Sequence, residues 1–127
     1  KELKMTGLID RMPKIVAVQS SHCSTVVNAF RKDRENIPEK KNPKTVASAI
    51  SCGRPNYGEE ALHALRKTKG KAISVTDLEI KNSISELAHE GVYPEASGAV
   101  SYAGAKKLGL KGKTVIFVTG HGLKDFL

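Results

Sequence analysis

The carboxyl end of the chain, TVIFVTGHGLKDFL at positions 114–127, sets a hydroxyl side chain between an apolar run and two glycines. A hydroxyl such as that of Thr119 can donate one hydrogen bond and accept others, so it can orient a ligand. Gly120 and Gly122 would let the backbone approach that ligand closely. The same residue types also form ordinary polar turns. The pattern therefore marks Thr119 as a candidate binding residue and leaves a simple turn as the alternative.

The cysteines and histidines do not indicate a metal site. Cys23 and Cys52 stand far apart in the sequence and form no CxxC pair, and the four histidines are scattered. A zinc site needs several such residues at short spacing. We interpret the cysteines as two buried or half-buried thiols in a reducing cytosol, and we expect no bound metal.

Length and composition restrict the class of protein. The 127 residues suit a single domain over 1–127, and no apolar run approaches the roughly 20 residues of a membrane helix. The net charge of +8 is compatible with nucleic acid, an anionic substrate or a solvated lysine-rich surface. Aromatic residues make up 5% and Trp is absent, which disfavours base stacking. We therefore expect no membrane and no nucleic-acid partner.

Three short apolar runs predict strands. KIVAVQ (14–19) and KAISV (71–75) are rich in Ile, Val and Ala, and TVIFV (114–118) has the same character. Runs of this kind suit strands that are covered on both faces. TVASAI (45–50) is made of small residues and is compatible with a strand or a loop.

Helical signals lie between these runs. The segments 24–30, 59–70 and 97–108 carry apolar residues at helical spacing or are dense in Ala and Gly. Thr76 and Glu79 form a capping-box signature that opens a further helix. The charge-rich stretch 31–44 contains two prolines and predicts a mobile surface loop.

Strands that alternate with helices predict an α/β fold of three layers, with a mostly parallel sheet and flanking helices. Ligands of open parallel sheets bind beyond the carboxyl ends of the strands. Thr119 follows the last predicted strand directly, so the predicted fold sets its hydroxyl where such proteins bind ligands.

The terminal VTGHGLKD (118–125) resembles a signature of the threonine synthase family, which comprises fold-type II enzymes dependent on pyridoxal 5'-phosphate. The segments 13–30, 45–65, 70–80 and 89–108 resemble further parts of that family in the same order, so the likeness covers nearly the whole chain. PEASGA (94–99) and GRPNY (53–57) depart from the family's usual residues. The resemblance implies the carboxyl-terminal portion of a fold-type II large domain.

The resemblance also implies site residues. It sets the Thr119 hydroxyl against the pyridine nitrogen of pyridoxal phosphate, with Gly120, Ser48, Ala49 and Glu95 as weaker pocket candidates. A hydroxyl donates to that nitrogen without giving it a full proton, whereas an Asp would keep the ring protonated. The family resemblance further implies a cytoplasmic lyase of threonine biosynthesis that converts O-phospho-L-homoserine and water to L-threonine and phosphate.

The chain does not carry the whole catalytic apparatus of that family. The Schiff-base lysine and the glycine-rich phosphate loop of family members have no counterpart in this sequence, so we expect no catalytic residue here. We predict a fragment that is inactive alone and whose partner is the missing amino-terminal portion of the enzyme; the resemblance is compatible with a homodimer. The alternatives are a related fold-type II enzyme, namely cysteate synthase or an amino-acid dehydratase, and a basic α/β module that binds anions without catalysis.

Overall fold

A computed structural model describes the backbone of residues 2–126 and the side chains of residues 2–124, which leaves the side chain of Asp125 outside the described residues. Two strands, β1 (Val16–Ser20) and β2 (Lys71–Val75), pair in parallel. The helices are α1 (Glu2–Met5), α2 (Thr25–Arg31), α3 (Gly58–Lys67), α4 (Asp77–His89) and α5 (Ala96–Leu108). Short 3-10 turns cover Ser21–Cys23, Ser48–Ile50 and Gly122–Phe126. None of the described helices combines the length and the apolar character needed to cross a membrane.

One face of the sheet is covered by α2 and α3. Side chains alternate between the faces of a strand, so the neighbouring pair Ala17 and Ala72 points to the same side. These two alanines pack against a buried cluster from the two helices, comprising Val26, Ala29, Leu62 and Leu65. The small strand residues let the helices lie close to the sheet.

The opposite face is covered by α4 and α5. Val18 and Val75 point to this side and pack against buried residues of both helices, namely Ile80, Leu87, Ala99, Val100 and Ala103. Gly104 brings the backbone of α5 onto the sheet, because a Cβ atom there would lie only 2.4 Å from a methyl of Val18. The predicted three-layer arrangement, a parallel sheet with helices on both faces, is confirmed.

Local signals in the sequence set the ends of α4 and α5. The side chain of Thr76 accepts a hydrogen bond from the backbone N–H of Glu79, and the Glu79 carboxylate accepts one from the backbone N–H of Thr76. The predicted capping box is therefore confirmed. Helix α5 ends at Gly109, whose φ of 55° lies in the left-handed region that favours glycine.

The prediction of a buried strand at 114–118 is wrong. The segment is not part of the sheet, and Val115 and Phe117 are 82% and 78% exposed. It is attached in other ways within the described residues: the Ser101 hydroxyl of α5 donates to the Phe117 carbonyl, and Val118 packs on the core cluster. Hydrophobicity indicated burial, but a strand also needs a neighbour for its backbone groups, and neither described strand lies beside this segment.

Two further expectations are settled by the structure. The segment 45–50, compatible with a strand or a loop, is a loop that ends in the turn Ser48–Ile50. Cys23 is buried as predicted, and burial raises the pKa of its thiol. Cys52 is exposed, against the prediction, because it lies in the irregular segment between that turn and α3.

Candidate functional site

The segment Thr119–Gly122 lies beside the residues that lead into α5. The backbone N–H of Glu95 donates to the carbonyl of Gly120 at 3.3 Å, and the N–H of Gly122 donates to the carbonyl of Tyr93 at 2.9 Å. These bonds hold the terminal turn against the entry to the helix. Two segments that are more than twenty residues apart in the sequence thus form one local structure.

His121 is part of this pairing. It forms an isolated antiparallel bridge with Pro94, and its ring stands edge-on to that of Tyr93 with the centroids 6.0 Å apart. Its Nδ1 accepts a hydrogen bond from the backbone N–H of Leu123 at 3.2 Å. The imidazole is exposed and supports the shape of the turn.

Two glycines make this close contact possible. A Cβ atom on Gly98, in the first turn of α5, would lie 1.8 Å from the carbonyl oxygen of Thr119. A Cβ atom on Gly120 would lie 2.1 Å from the carboxyl carbon of Glu95, and the φ of Gly120 is +70°. A side chain at Gly98 would push the turn away from the helix because it meets backbone, whereas one at Gly120 would displace the Glu95 side chain and strain the positive φ.

The side chain of Thr119 is exposed. Within the described residues no hydrogen bond to its hydroxyl is found, although its backbone is held against α5. Gly98 behind it and Gly120 after it fix the direction of the backbone at this point. The hydroxyl is therefore held on a rigid base and free to bond to a ligand.

The small-residue turn Ser48–Ile50 meets the same end of α5. The backbone N–H of Ala49 donates to the Ser97 hydroxyl at 3.1 Å. Ser97 thus faces this turn, while the neighbouring Gly98 faces Thr119. Ser48 and Ala49 are both exposed, so the turn presents small side chains on an open surface. Of the five residues proposed from the sequence, Gly120 contacts Glu95 directly, Thr119 lies beside Gly98 in the first turn of α5, and Ala49 reaches the same helix end through Ser97, with Ser48 next to it in the chain.

Sequence reasoning missed Asp77, which follows the carboxyl end of β2. Its carboxylate accepts a hydrogen bond from the Thr45 hydroxyl at 2.6 Å and one from the backbone N–H of Val46 at 3.2 Å. The Nδ1 atom of His22 lies 3.6 Å from the same carboxylate. Its position in the sequence could have indicated it, because Asp77 stands two residues after the predicted strand 71–75, at the edge of a parallel sheet where ligands bind.

The electrostatics of Asp77 follow from these contacts. Burial of the carboxyl opposes its ionisation, but the hydrogen bonds from Thr45 and Val46 and the nearby His22 outweigh that effect. The pKa of Asp77 is therefore lowered, and the side chain is an anion at neutral pH. An ionised carboxylate accepts both hydrogen bonds at once, which a protonated one does less well.

The residues of the site fit one end of pyridoxal phosphate. The Thr119 hydroxyl is the kind of donor that a pyridine nitrogen accepts, and it stands free of protein partners within the described residues. The exposed side chains of Ser48 and Ala49 are small enough to leave room for a flat ring. One hydroxyl donor and two small side chains are residue types that suit the ring end of the cofactor.

Comparison with known proteins identifies the family of the chain. The model of the family described as "Pyridoxal-phosphate dependent enzyme" matches residues 2–120. Among curated proteins, the chain is 42% identical to the threonine synthase of Methanocaldococcus jannaschii and 39% identical to that of Methanosarcina acetivorans. Each alignment covers 98% of this chain and 33% of the relative. The chain thus spans about a third of the length of the curated relatives it matches.

Solved structures share the fold. A threonine deaminase from T.th. matches with a TM-score of 0.64 at 14% identity, over 84% of this chain and 37% of that one. The serine racemase of maize matches with a TM-score of 0.61 at 18% identity, over 72% of this chain and 27% of that one. The fold class predicted from the sequence is confirmed by these two neighbours.

Proposed function

The chain belongs to the family of pyridoxal-phosphate dependent enzymes, and on that premise we propose that it is the carboxyl-terminal part of a threonine synthase. The proposed reaction converts O-phospho-L-homoserine and water to L-threonine and phosphate in the cytoplasm. The threonine synthases that align with nearly the whole chain support this choice within the family.

The structural observation that supports the proposal is the exposed hydroxyl of Thr119. Thr119 presents an exposed hydroxyl that has no partner among the described residues, on a backbone held against the start of α5. A threonine hydroxyl can bond to neighbouring backbone groups, and none of the described residues makes such a bond with Thr119. A hydroxyl held free on a rigid base is suited to a ligand, and we propose that this ligand is the pyridine nitrogen of the cofactor.

The proposed role of Thr119 is to hold the ring without charging it. When bound, pyridoxal phosphate supplies an electron-accepting ring that stabilises negative charge next to the amino group of an amino-acid substrate. The Thr119 hydroxyl would donate a hydrogen bond to the ring nitrogen and keep its own proton, which would leave the nitrogen neutral. A donor held on a fixed backbone would help to orient the ring and would moderate its electron demand.

The other candidates form the proposed wall around that hydroxyl. We propose that Ser48 and Ala49, which adjoin α5 through Ser97, contribute small groups, and that Glu95 contributes through its contact with Gly120. Gly120 has no catalytic role in this proposal; it allows the turn that presents Thr119. Glu95 borders the pocket through its contact with that turn.

We further propose that the partner of the chain is the remaining, amino-terminal portion of such an enzyme. The curated relatives are about three times as long as the aligned segment. Val115 and Phe117 are large, apolar and strongly exposed on a segment whose backbone pairs with neither β1 nor β2. We propose that the amino-terminal portion covers this apolar segment, since exposed apolar residues mark surfaces that bind other protein segments. In this proposal the isolated 127 residues bind no cofactor covalently and are inactive.

An assay of the complete enzyme tests the function. The wild-type enzyme should release phosphate and threonine from O-phosphohomoserine, and should not act on phosphoserine, the substrate expected for the alternative cysteate synthase. Phosphate release from phosphoserine alone would replace the proposal by that alternative.

Variants of Thr119 test the role of the hydroxyl. Thr119→Ser keeps the donor and should keep most of the activity, while Thr119→Val should lower kcat by roughly 10- to 100-fold, the range for loss of one hydrogen bond to a reacting group. The absorbance spectrum of the bound cofactor should change in Thr119→Val alone. Equal activity and identical spectra of the two variants would refute the contact.

A further inference from the structure

The carboxylate of Asp77 connects the start of α4 to a distant loop, and we call this pair of hydrogen bonds the tie. It accepts a hydrogen bond from the Thr45 hydroxyl at 2.6 Å and another from the backbone N–H of Val46 at 3.2 Å, across 32 and 31 positions of the sequence. Both oxygens of the carboxylate are used, one for each donor. Two bonds from one planar group fix the orientation of the loop as well as its position.

The tie extends directly into the turn Ser48–Ile50. The Thr45 hydroxyl, while donating to Asp77, accepts a hydrogen bond from the backbone N–H of Ala47 at 3.3 Å. The side chain of Ala47 is fully buried in the core, and the carbonyl of Ala47 accepts from the N–H of Ile50. The turn is thus held from its amino side by a series of contacts that begins at Asp77.

The same turn is held from the other side by α5. Ala49 donates to the Ser97 hydroxyl, and the next residue, Gly98, is in contact with the backbone of Thr119. The turn Ser48–Ile50 therefore lies between Asp77 and the helix end that supports Thr119. A displacement of the turn would alter both the small-residue wall and its distance from the Thr119 hydroxyl.

We propose that Asp77 is a positioning residue, whose carboxylate sets the small-residue wall Ser48–Ile50 against the start of α5 and so shapes the pocket beside Thr119. This inference rests on the function proposed above for that pocket. Asp77 does not itself touch the ligand in this proposal. His22, in the turn that follows β1, lies 3.6 Å from the carboxylate and helps to hold the anion in place.

The contact is tested on the 127-residue chain by amide hydrogen exchange. In Asp77→Asn one oxygen is replaced by an NH₂ group, which sets a donor against one of the two donors of the loop. Exchange in a peptide covering 46–52 should quicken by roughly 10-fold or more, while the central turns of α4 should keep the wild-type rate. Unchanged exchange in 46–52 would overturn the proposal.

Variants at Thr45 separate the tie from a general role of Asp77 in starting α4. Thr45→Val should quicken exchange in 46–52 as Asp77→Asn does, and Thr45→Ser should preserve the wild-type rate because it keeps the hydroxyl. The double variant Asp77→Asn with Thr45→Val should have less effect than the sum of the two single changes, since both break the hydrogen bond between Thr45 and Asp77. Glu60→Gln, in the first turn of α3, is the matched control for loss of a negative charge at a helix start.

The consequence for the pocket is tested in the complete enzyme. Asp77→Asn and Thr45→Val should each lower kcat/KM by roughly 10-fold, while Glu60→Gln and Thr45→Ser stay near the wild-type value. Quickened exchange with unchanged kcat/KM would refute the positioning role. A wild-type enzyme without activity on O-phosphohomoserine would refute the proposed function instead, and cofactor affinity of the same variants would then test the positioning role.

Discussion

Replacing Gly98 by alanine should displace the terminal turn from α5. The added Cβ atom would lie 1.8 Å from the carbonyl oxygen of Thr119 and 2.9 Å from its carbonyl carbon. Backbone atoms cannot rotate away as a side chain can. The helix and the turn must therefore separate by about 1 Å or more to regain van der Waals distance.

The net effect on stability is set by two opposing contributions. Alanine is favoured over glycine in a helix by at most about 1 kcal/mol. Overpacking of a filled contact typically costs about 1–3 kcal/mol, and the upper part of that range applies because the obstacle is backbone. We expect Gly98→Ala to lower the free energy of unfolding by roughly 1–2 kcal/mol, measured by urea unfolding of the 127-residue chain.

Gly104→Ala is the matched control in the same helix. Its Cβ atom would meet methyl groups of Val18 at 2.4–2.6 Å, on the sheet side and away from the terminal turn. Both variants should lose stability, but only Gly98→Ala should quicken amide exchange in a peptide covering 117–122. In the complete enzyme a displacement of about 1 Å at Thr119 should cost on the order of 100-fold in kcat. A Gly98→Ala chain that is as stable as the wild type and exchanges at the same rate would refute the reasoning.

Two further predictions concern stability. Burial opposes ionisation of Asp77 and Glu79, but hydrogen bonds lower both pKa values below the ordinary 3.8 and 4.5. The two carboxylates therefore stabilise the fold above those values, and this stabilisation is lost as pH falls through the lowered pKa values. The urea concentration at the unfolding midpoint should fall as the pH drops below 4.5, and less so in Glu79→Gln. Leu62 is 1% exposed, so Leu62→Ala should cost about 2–5 kcal/mol in thermal or urea unfolding, whereas Leu78→Ala, 67% exposed, should change stability by less than about 0.5 kcal/mol.

Local patterns predicted the regular elements well. The run KAISV became β2 with the predicted bounds, and the capping box of Thr76 and Glu79 opens α4 as expected. Such features depend on neighbours within a few residues, which the sequence displays directly. The segment 97–108, dense in Ala and Gly, forms most of α5, and Gly104 lies against Val18.

The failed predictions share a physical cause. The segment 114–118 is apolar enough for a core strand, yet pairing depends on which backbone lies beside it, and Val115 and Phe117 stay exposed. The exposure of Cys52 likewise depends on how an irregular loop crosses the surface. Neither property is encoded by the residue types within the segment itself.

The sequence by itself determined the parallel α/β framework, the family and the candidate residue Thr119, because periodicity, caps and a specific terminal signature are local in the chain. Only the tertiary structure decided that Gly98 supports Thr119, that Ser97 holds the turn at Ala49, and that Asp77 holds the same turn from the other side. These contacts join residues 21 to 48 positions apart. Contacts of this length form only when the core has packed α4 and α5 on one face of the sheet, so their partners cannot be inferred from spacing along the chain.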